Sequence, residues 1–309
     1  MVHTLFLVGA ILLGVCVGSF LNVVIFRVPA GTFFKGGQRS RCPKCGEPIA
    51  WFDNIPIVSW LLLLRGKGRC CGNPISARYP LVEALTAVLV GGLFLWTYPS
   101  EESLSIPGLV LLFGFGVWFL AVMIACTFID IDHRILPDVL TKPTMVVGLL
   151  GAVLVPLHPV DPADWFGSLL RGLLGLGTGL LLTDTIRRVA SYLFRREAMG
   201  FGDVKFMGAI GVFVGWDGAV LTFFLGSIFG AIYGVVHQSI TKQAQIFFGP
   251  FLAVGAVLTF FFRPEIVNFI TVTWPAWQVQ LQLSPTILIG IVVLCLACLF
   301  LLIRRARRK

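Results

Sequence analysis

The sequence predicts an all-α polytopic membrane protein with about nine transmembrane helices and a cysteine-containing cytoplasmic loop domain between the first two. Hydrophobic residues make up 57% of the 309 residues, and charged residues only 13%. Because a soluble domain carries roughly 25% charged residues, this composition excludes a soluble protein. The hydrophobic residues also group into long stretches, several of them close to the ~20 residues with which an α-helix spans a bilayer.

Nine apolar stretches are candidate membrane spans, and the sixth is the shortest. They lie at 5–26, 81–97, 107–128, 139–157, 166–183, 203–215, 218–236, 247–262 and 286–303. The first lacks a basic leading region and a clear cleavage site, so we expect a span and not a cleaved signal peptide. Gly175 and Gly179 predict a close approach between neighbouring helices, because small residues four apart admit a second backbone.

The distribution of basic residues predicts the orientation. Nine Lys or Arg lie in 27–80, five in 184–205 and five in 304–309. The segments between other spans carry none: 98–106, 158–165 and 216–217. Because basic loops stay in the cytoplasm, we expect an external N-terminus, nine spans and a cytoplasmic C-terminus. The net charge of +9 then reflects topology and contact with anionic lipids, and requires no nucleic acid.

Two aspartates at the edge of the membrane are the candidate catalytic residues. Asp130 closes the third apolar stretch and Asp203 opens the sixth, which places both at the predicted cytoplasmic side. Carboxylates at membrane depth are costly and typically functional. Two neighbouring carboxylates share one proton, so one accepts a proton from water while the other donates to the scissile carbonyl or leaving amine. The pair therefore predicts peptide-bond hydrolysis.

Residues near these aspartates include two alternative catalytic acids and a candidate substrate-binding site. Gly200 and Gly202 lack a Cβ, so a substrate backbone could lie close to Asp203. Asp132 and Asp138 are alternative acids that also fit a solvated position at the interface. Asp132 follows Asp130 by two residues, so the two would not share a helix face.

Two motifs carry a resemblance to a known family. The segments 129–138 and 200–205 read IDIDHRILPD and GFGDVK, and together they resemble bacterial type IV prepilin peptidases, which are membrane aspartic peptidases of the GxGD class. Segments 19–29, 53–60 and 78–83 resemble further motifs of that family, and the similarity covers about residues 10–260. The resemblance implies Asp130 and Asp203 as the catalytic dyad. We group Lys205 with Gly200 and Gly202 as substrate-binding.

The cysteines of the loop predict a structural zinc site. Cys42 and Cys45 are spaced so that a tight turn brings both thiols to one tetrahedral ion. The resemblance implies a second such pair, in which Cys71 takes the second position, whereas Gly68 stands where the first cysteine is expected, so Cys70 would have to substitute. A reducing compartment disfavours a disulfide. Metal-free thiols remain the alternative.

The resemblance implies cleavage of type IV prepilin or pseudopilin leaders at the cytoplasmic face of the bacterial inner membrane. Substrates would carry a basic leader, a glycine before the cut and a hydrophobic helix after it. The family commonly N-methylates the new N-terminus with S-adenosylmethionine, for which Asp53, Asn54 and Glu83 are candidate residues. The alternatives are a peptidase without methyltransferase activity, a proton-coupled transporter and a non-catalytic scaffold. A transporter would place its charges nearer the middle of spans.

These predictions divide the chain into four parts. Residues 1–26 form the first span, and 27–80 form the cytoplasmic loop domain with the zinc site. Residues 81–262 form the membrane aspartic peptidase core. Residues 263–309 contribute an external loop, an additional span and a basic cytoplasmic tail.

Overall fold

The structure is a computed structural model that describes residues 2–33, 41–42, 44–63, 66–98, 106–155, 165–197, 199–241 and 247–273. Its helices are α1 (Val2–Arg27), α2 (Arg78–Thr97), α3 (Ile106–His133), α4 (Asp138–Leu154), α5 (Trp165–Phe194), α6 (Phe201–Thr241) and α7 (Gly249–Asn268). Short helical turns cover Trp51–Asn54, Ser59–Leu63 and Phe269–Thr273. The described residues contain no β-strand, only two isolated β-bridges. The predicted all-α class is therefore confirmed.

Six helices are long and apolar enough to cross a membrane, and the chain is a multi-pass membrane protein. They span His3–Arg27, Arg78–Thr97, Ile106–His133, Trp165–Phe194, Phe201–Gln238 and Gly249–Thr273. The predicted count of nine is not confirmed. At 17 residues, α4 is shorter than these six, and 286–303 lies outside the described residues. The stretches 203–215 and 218–236 both lie in α6, whose backbone leaves helical geometry at Gly215, with φ 78°, a conformation that favours glycine.

The chain divides into two compact units, Met1–Phe261 and Phe262–Lys309. The first contains both candidate catalytic aspartates and all four loop cysteines. Its core joins α3, α6 and α7 through aromatic side chains, with the ring of Phe119 4.9 Å from that of Phe213 and 5.1 Å from that of Phe260. The described part of the second unit contains the last residues of α7 and the turn Phe269–Thr273.

Helix α5 packs backbone to backbone on the helix that carries Asp203. A Cβ added to Gly175 would lie 2.0 Å from the carbonyl oxygen of Gly211, and one added to Gly179 would lie 2.3 Å from that of Met207. The close approach predicted for Gly175 and Gly179 is therefore present. Because neither contact leaves room for a side chain, these glycines fix the distance between the two helices.

Candidate active site and metal centre

Asp130 lies in the last turn of α3 and is buried, with 7% of its surface exposed. The backbone N–H of Gly249, at the start of α7, donates a hydrogen bond to its Oδ2 at 3.1 Å. A Cβ at position 249 would lie 2.6 Å from that oxygen, so only glycine admits this contact without a shift. Sequence reasoning missed Gly249, although the Gly249–Pro250 pair is a usual start for a helix.

Asp203 lies in the first turn of α6 and is also buried, at 9% exposure. Its backbone N–H donates to the carbonyl oxygen of Gly200 at 3.2 Å, which fixes the start of the helix. Asp130 and Asp203 line the same cleft, about 300 Å³ in volume. The rest of the lining comprises Arg134, Ile135, Leu136, Asp138, Gly200, Phe201, Gly202 and Lys205.

The connection between α3 and α4 forms one side of this cleft. Arg134 takes a left-handed conformation, with φ 57°, which ends α3, and Pro137 precedes the first turn of α4. Leu136, between them, packs against Gly202, where an added Cβ would lie 3.1 Å from the Cβ of Leu136. A side chain at position 202 would therefore meet Leu136, whereas Gly202 itself lines the cleft beside Asp203, and its role in substrate binding stays a prediction.

Asp138 has a structural partner that the sequence did not indicate. The Nζ of Lys205 lies 2.7 and 2.8 Å from its two carboxylate oxygens, and the Nζ of Lys142 lies 2.8 Å from Oδ2. Lys205, predicted to bind substrate, therefore already has a carboxylate partner within the cleft. The ion pair joins the start of α4 to the start of α6.

Asp132 lies outside the cleft that holds Asp130. It forms an ion pair with Arg78 at the start of α2, and Arg78 also donates to the carbonyl oxygen of Phe128 at 3.2 Å. The structure thus brings Asp130, and not Asp132, beside Asp203.

The four loop cysteines form one cluster between α1 and α2. The sulfur atoms of Cys42, Cys45, Cys70 and Cys71 all lie within 4.8 Å of one another. The Cys42–Cys71 and Cys45–Cys70 sulfur distances are 3.8 and 3.3 Å. A tetrahedral zinc with Zn–S bonds of about 2.3 Å places its sulfur ligands roughly 3.8 Å apart. The cluster therefore fits a single metal ion of this kind.

The environment of the thiols differs within the cluster. Hydrogen bonds from the backbone N–H groups of Cys45 and Lys44 lower the pKa of the Cys42 thiol to about 6. The hydrogen bond with Cys45, together with burial, raises the pKa of the Cys70 thiol to about 12. Because metals bind thiolates, a metal ion bound at this cluster would require the Cys70 thiol to lose its proton.

The first cysteine pair lies on a tight turn, which we call the first knuckle (residues 41–48). The N–H of Cys42 donates to the carbonyl oxygen of Glu47 at 2.8 Å, and the N–H of Gly46 donates to that of Cys42 at 2.9 Å. Gly46 has φ 77°, which a glycine adopts without strain. A β-bridge joins Arg41 to Pro48 across the base.

The second pair lies on a turn with the same backbone pattern, the second knuckle (residues 67–74). The N–H of Gly68 donates to Asn73 O at 2.8 Å, the N–H of Gly72 donates to Gly68 O at 2.7 Å, and Lys67 bridges to Pro74. Gly68 therefore takes the place that a cysteine has in the first knuckle, and Cys71 takes the place of its second cysteine. Cys70 brings its thiol to the cluster from a position two residues after Gly68.

Two of the three candidate methyltransferase residues, Asp53 and Glu83, have structural contacts. Asp53 forms an ion pair with Arg69 at 2.9 Å, and the N–H of Ile57 donates to Glu83 Oε2 at 2.7 Å. Asn54 is exposed at the end of a helical turn. These contacts explain both carboxylates without a methyl donor, so the methyltransferase role of all three residues stays a prediction.

Comparisons with known proteins give consistent results. Residues 12–98 match the family described as Bacterial Peptidase A24 N-terminal domain, and residues 117–235 match the Type IV leader peptidase family. No solved structure shows a significant match.

Among curated proteins, the chain is similar to three called "Prepilin leader peptidase/N-methyltransferase". The Myxococcus xanthus protein is 40% identical over 78% of this chain and 65% of its own length. That of Dichelobacter nodosus is 35% identical over 85% of this chain and 93% of its own length. That of Aeromonas hydrophila is 34% identical over 83% of this chain and 91% of its own length.

Proposed function

The chain belongs to the type IV leader peptidase family, and from this premise we propose that it is an aspartic endopeptidase that removes the leader peptide of type IV prepilins or pseudopilins. The observation that carries the proposal is the shared cleft of Asp130 and Asp203. Burying two carboxylates in one cleft near the membrane costs free energy, so such a pair indicates a function. Peptide hydrolysis by two carboxylates that share one proton is such a function.

The two carboxylates would work as one acid–base pair. With one proton between them, the ionised carboxylate takes a proton from water as the water oxygen attacks the scissile carbonyl carbon. The protonated carboxyl donates its proton to the carbonyl oxygen, and a proton then passes to the leaving amine. The N–H of Gly249 fixes the orientation of Asp130 throughout. No covalent intermediate forms, so neither a serine nor a cysteine nucleophile is required.

We place this site at the cytoplasmic face of the bacterial inner membrane. The placement rests on two basic segments. Segment 184–205 leads into the start of α6, which carries Asp203, and segment 27–80 ends at α2, whose Arg78 pairs with Asp132 near the end of α3. The nine-span arrangement with 1–26 as first span, 81–262 as peptidase core and 263–309 as final segment is part of the proposal. A phosphatase that folds only outside the cytoplasm, fused after Lys309, is expected to be inactive.

We propose that zinc binds Cys42, Cys45, Cys70 and Cys71 and holds the two knuckles together. The role is structural, because the described part of the loop domain has few buried apolar residues of its own, and metal binding would supply folding energy. The ion takes no part in the hydrolysis.

N-methylation of the new N-terminus is the second proposed activity. Its support is the name of the curated relatives, each a "Prepilin leader peptidase/N-methyltransferase". S-adenosylmethionine would supply the methyl group. The candidate residues remain Asp53, Asn54 and Glu83, of which Glu83 is the most buried.

One experiment tests both activities. Purified protein is incubated with a purified type IV prepilin, with and without S-adenosylmethionine, and the products are read by mass spectrometry. Loss of the leader is expected in both reactions, and an added methyl group only when S-adenosylmethionine is present. An intact prepilin in both reactions would contradict the peptidase assignment. Cleavage without methylation would show a peptidase that lacks methyltransferase activity.

A further inference from the structure

We propose that Arg78 is a positioning residue that holds the last turn of α3, and with it Asp130, in the geometry needed for cleavage. The inference rests on the proposed function, because it assigns Asp130 a catalytic role. Arg78 is the first residue of α2 and lies outside the cleft lined by the two aspartates. It would therefore act on the reaction only through α3.

The guanidinium group of Arg78 contacts the last two turns of α3 in three ways. Nη1 forms an ion pair with Asp132, and Nη2 donates to the carbonyl oxygen of Phe128 at 3.2 Å. The guanidinium carbon lies 4.8 Å from the centre of the Phe128 ring. A planar group with several donors can make all three contacts together, whereas a lysine ammonium would make only part of the set.

These contacts and the Asp130 carboxylate lie on opposite sides of the helix. Phe128 and Asp132 are four residues apart and so share one face. Asp130 lies midway between them, about 200° around the helix axis from either, and its carboxylate accepts the N–H of Gly249. The turn that carries Asp130 is therefore held by Arg78 on one side and by α7 on the other.

The start of α2, which carries Arg78, is held by contacts with α1 and α3. The Nδ2 of Asn22 in α1 donates to the carbonyl oxygen of Tyr79 at 3.1 Å, and Val82 is buried in the cluster that contains Ile129 of α3. A helix end frays unless its last turn is fixed. A rigid α2 start that reaches the final turn of α3 prevents this fraying next to the catalytic carboxylate.

The proposal predicts a change in chemistry and not only in stability. Two carboxylates that share a proton are active over the pH range in which exactly one proton is bound, and the width of that range reflects their electrostatic coupling. If Asp130 drifts from Asp203, the coupling weakens with distance and the bell-shaped rate profile narrows. A loss of folded protein alone lowers the rate without changing the width.

The test compares Arg78→Gln, Arg78→Lys and Asp132→Asn with wild-type protein. Initial cleavage rates of a purified type IV prepilin are measured against pH and substrate concentration. Arg78→Gln is expected to lower kcat roughly 10- to 100-fold, the scale of an ~1 Å misplacement at an active site, with little change in KM and a narrower profile. Arg78→Lys should recover part of the loss, and Asp132→Asn should lose less than Arg78→Gln, because Arg78 keeps its contacts to Phe128.

The matched control is Arg188→Gln, because the ion pair that Arg188 makes within the described residues is with its helical neighbour Asp184, and its side chain is 73% exposed. It should behave as wild type. The other charged groups that line the cleft are Arg134, Asp138 and Lys205, and every variant retains them.

Two results would overturn the proposal. One is a wild-type kcat for Arg78→Gln per folded molecule. The other is a reduced yield or melting temperature together with an unchanged profile width in both Arg78→Gln and Asp132→Asn, which would make the contacts purely structural. A failure of the proposed function looks different, since wild-type protein would then leave the prepilin intact or Asp130→Asn would still cleave it.

Discussion

Replacing Gly179 with alanine is expected to slow cleavage, because the added methyl group collides with the backbone of the helix that carries Asp203. The new Cβ would lie 2.3 Å from the carbonyl oxygen of Met207, whereas ordinary contact begins near 3.4 Å. Relieving the collision requires α5 and α6 to separate by about 1.1 Å at this point. Met207 lies one turn, about 6 Å along the axis, after Asp203, so the displacement reaches the carboxylate.

The size of the effect follows from that displacement. Overpacking of this kind costs about 1–3 kcal/mol of stability, and a shift of ~1 Å at a catalytic group lowers the rate by up to about 100-fold. We therefore expect Gly179→Ala to lower both the melting temperature and kcat, with kcat falling about 10- to 100-fold.

The assay measures cleavage of a purified type IV prepilin per folded molecule, with a thermal melt on the same sample. Gly177→Ala is the matched control on the same helix, because a Cβ there meets nothing within 4 Å. Alanine at that position is expected to be neutral or to stabilise the helix by up to about 1 kcal/mol. If Gly179→Ala melts and cleaves as Gly177→Ala does, the close α5–α6 contact does not position Asp203.

Two further substitutions test the metal centre and the support of Asp130. Cys70→Ser is expected to release the roughly one zinc per chain that four thiolates bind. Adding Gly68→Cys should restore zinc binding, because Gly68 takes the first ligand position of the second knuckle. Zinc retained by Cys70→Ser, measured by metal analysis, would contradict this assignment. Gly249→Ala places a Cβ 2.6 Å from Asp130 Oδ2 and should slow prepilin cleavage at least ~10-fold. Gly92→Ala, with nothing within 4 Å, is its control, and equal rates for these two variants would argue against the Gly249 contact.

The helices and the meeting of the two aspartates could be predicted from sequence because both depend on local pattern and topology. Apolar stretches predicted the membrane helices, and the basic loops placed Asp130 and Asp203 on one side. The number of spans could not be fixed in this way, because Gly215 interrupts α6 and 286–303 lies beyond the described residues. Hydropathy alone does not decide whether a short stretch crosses a membrane.

The charge partners around the cleft could not be predicted, because no periodic pattern links residues so far apart in sequence. Lys205 belonged to a motif and was expected to meet substrate, yet it pairs with Asp138. Asp132 differed from Asp130 only by helix face, and its Arg78 partner comes from another helix. Such pairings depend on how helices pack, which the sequence of each helix does not specify.

The cysteine cluster could be predicted from the sequence only in part. Spacing predicted that Cys42 and Cys45 converge, since a short turn is a local feature. Whether Cys70 or Cys71 joins them depended on the backbone of the second knuckle. The structure brings both to the cluster, because the turn after Gly68 presents two successive thiols to the first knuckle.

The account depends most directly on the aspartate pair. Asp130→Asn and Asp203→Asn, purified from membranes at wild-type yield, are incubated with a purified type IV prepilin, and the products are read by mass spectrometry. Both variants are expected to leave the prepilin intact, because an amide neither accepts nor delivers the proton that hydrolysis requires, whereas Asp132→Asn retains cleavage at a reduced rate. Near-normal cleavage by either of the first two, or complete loss in Asp132→Asn alone, would contradict the assignment of the dyad.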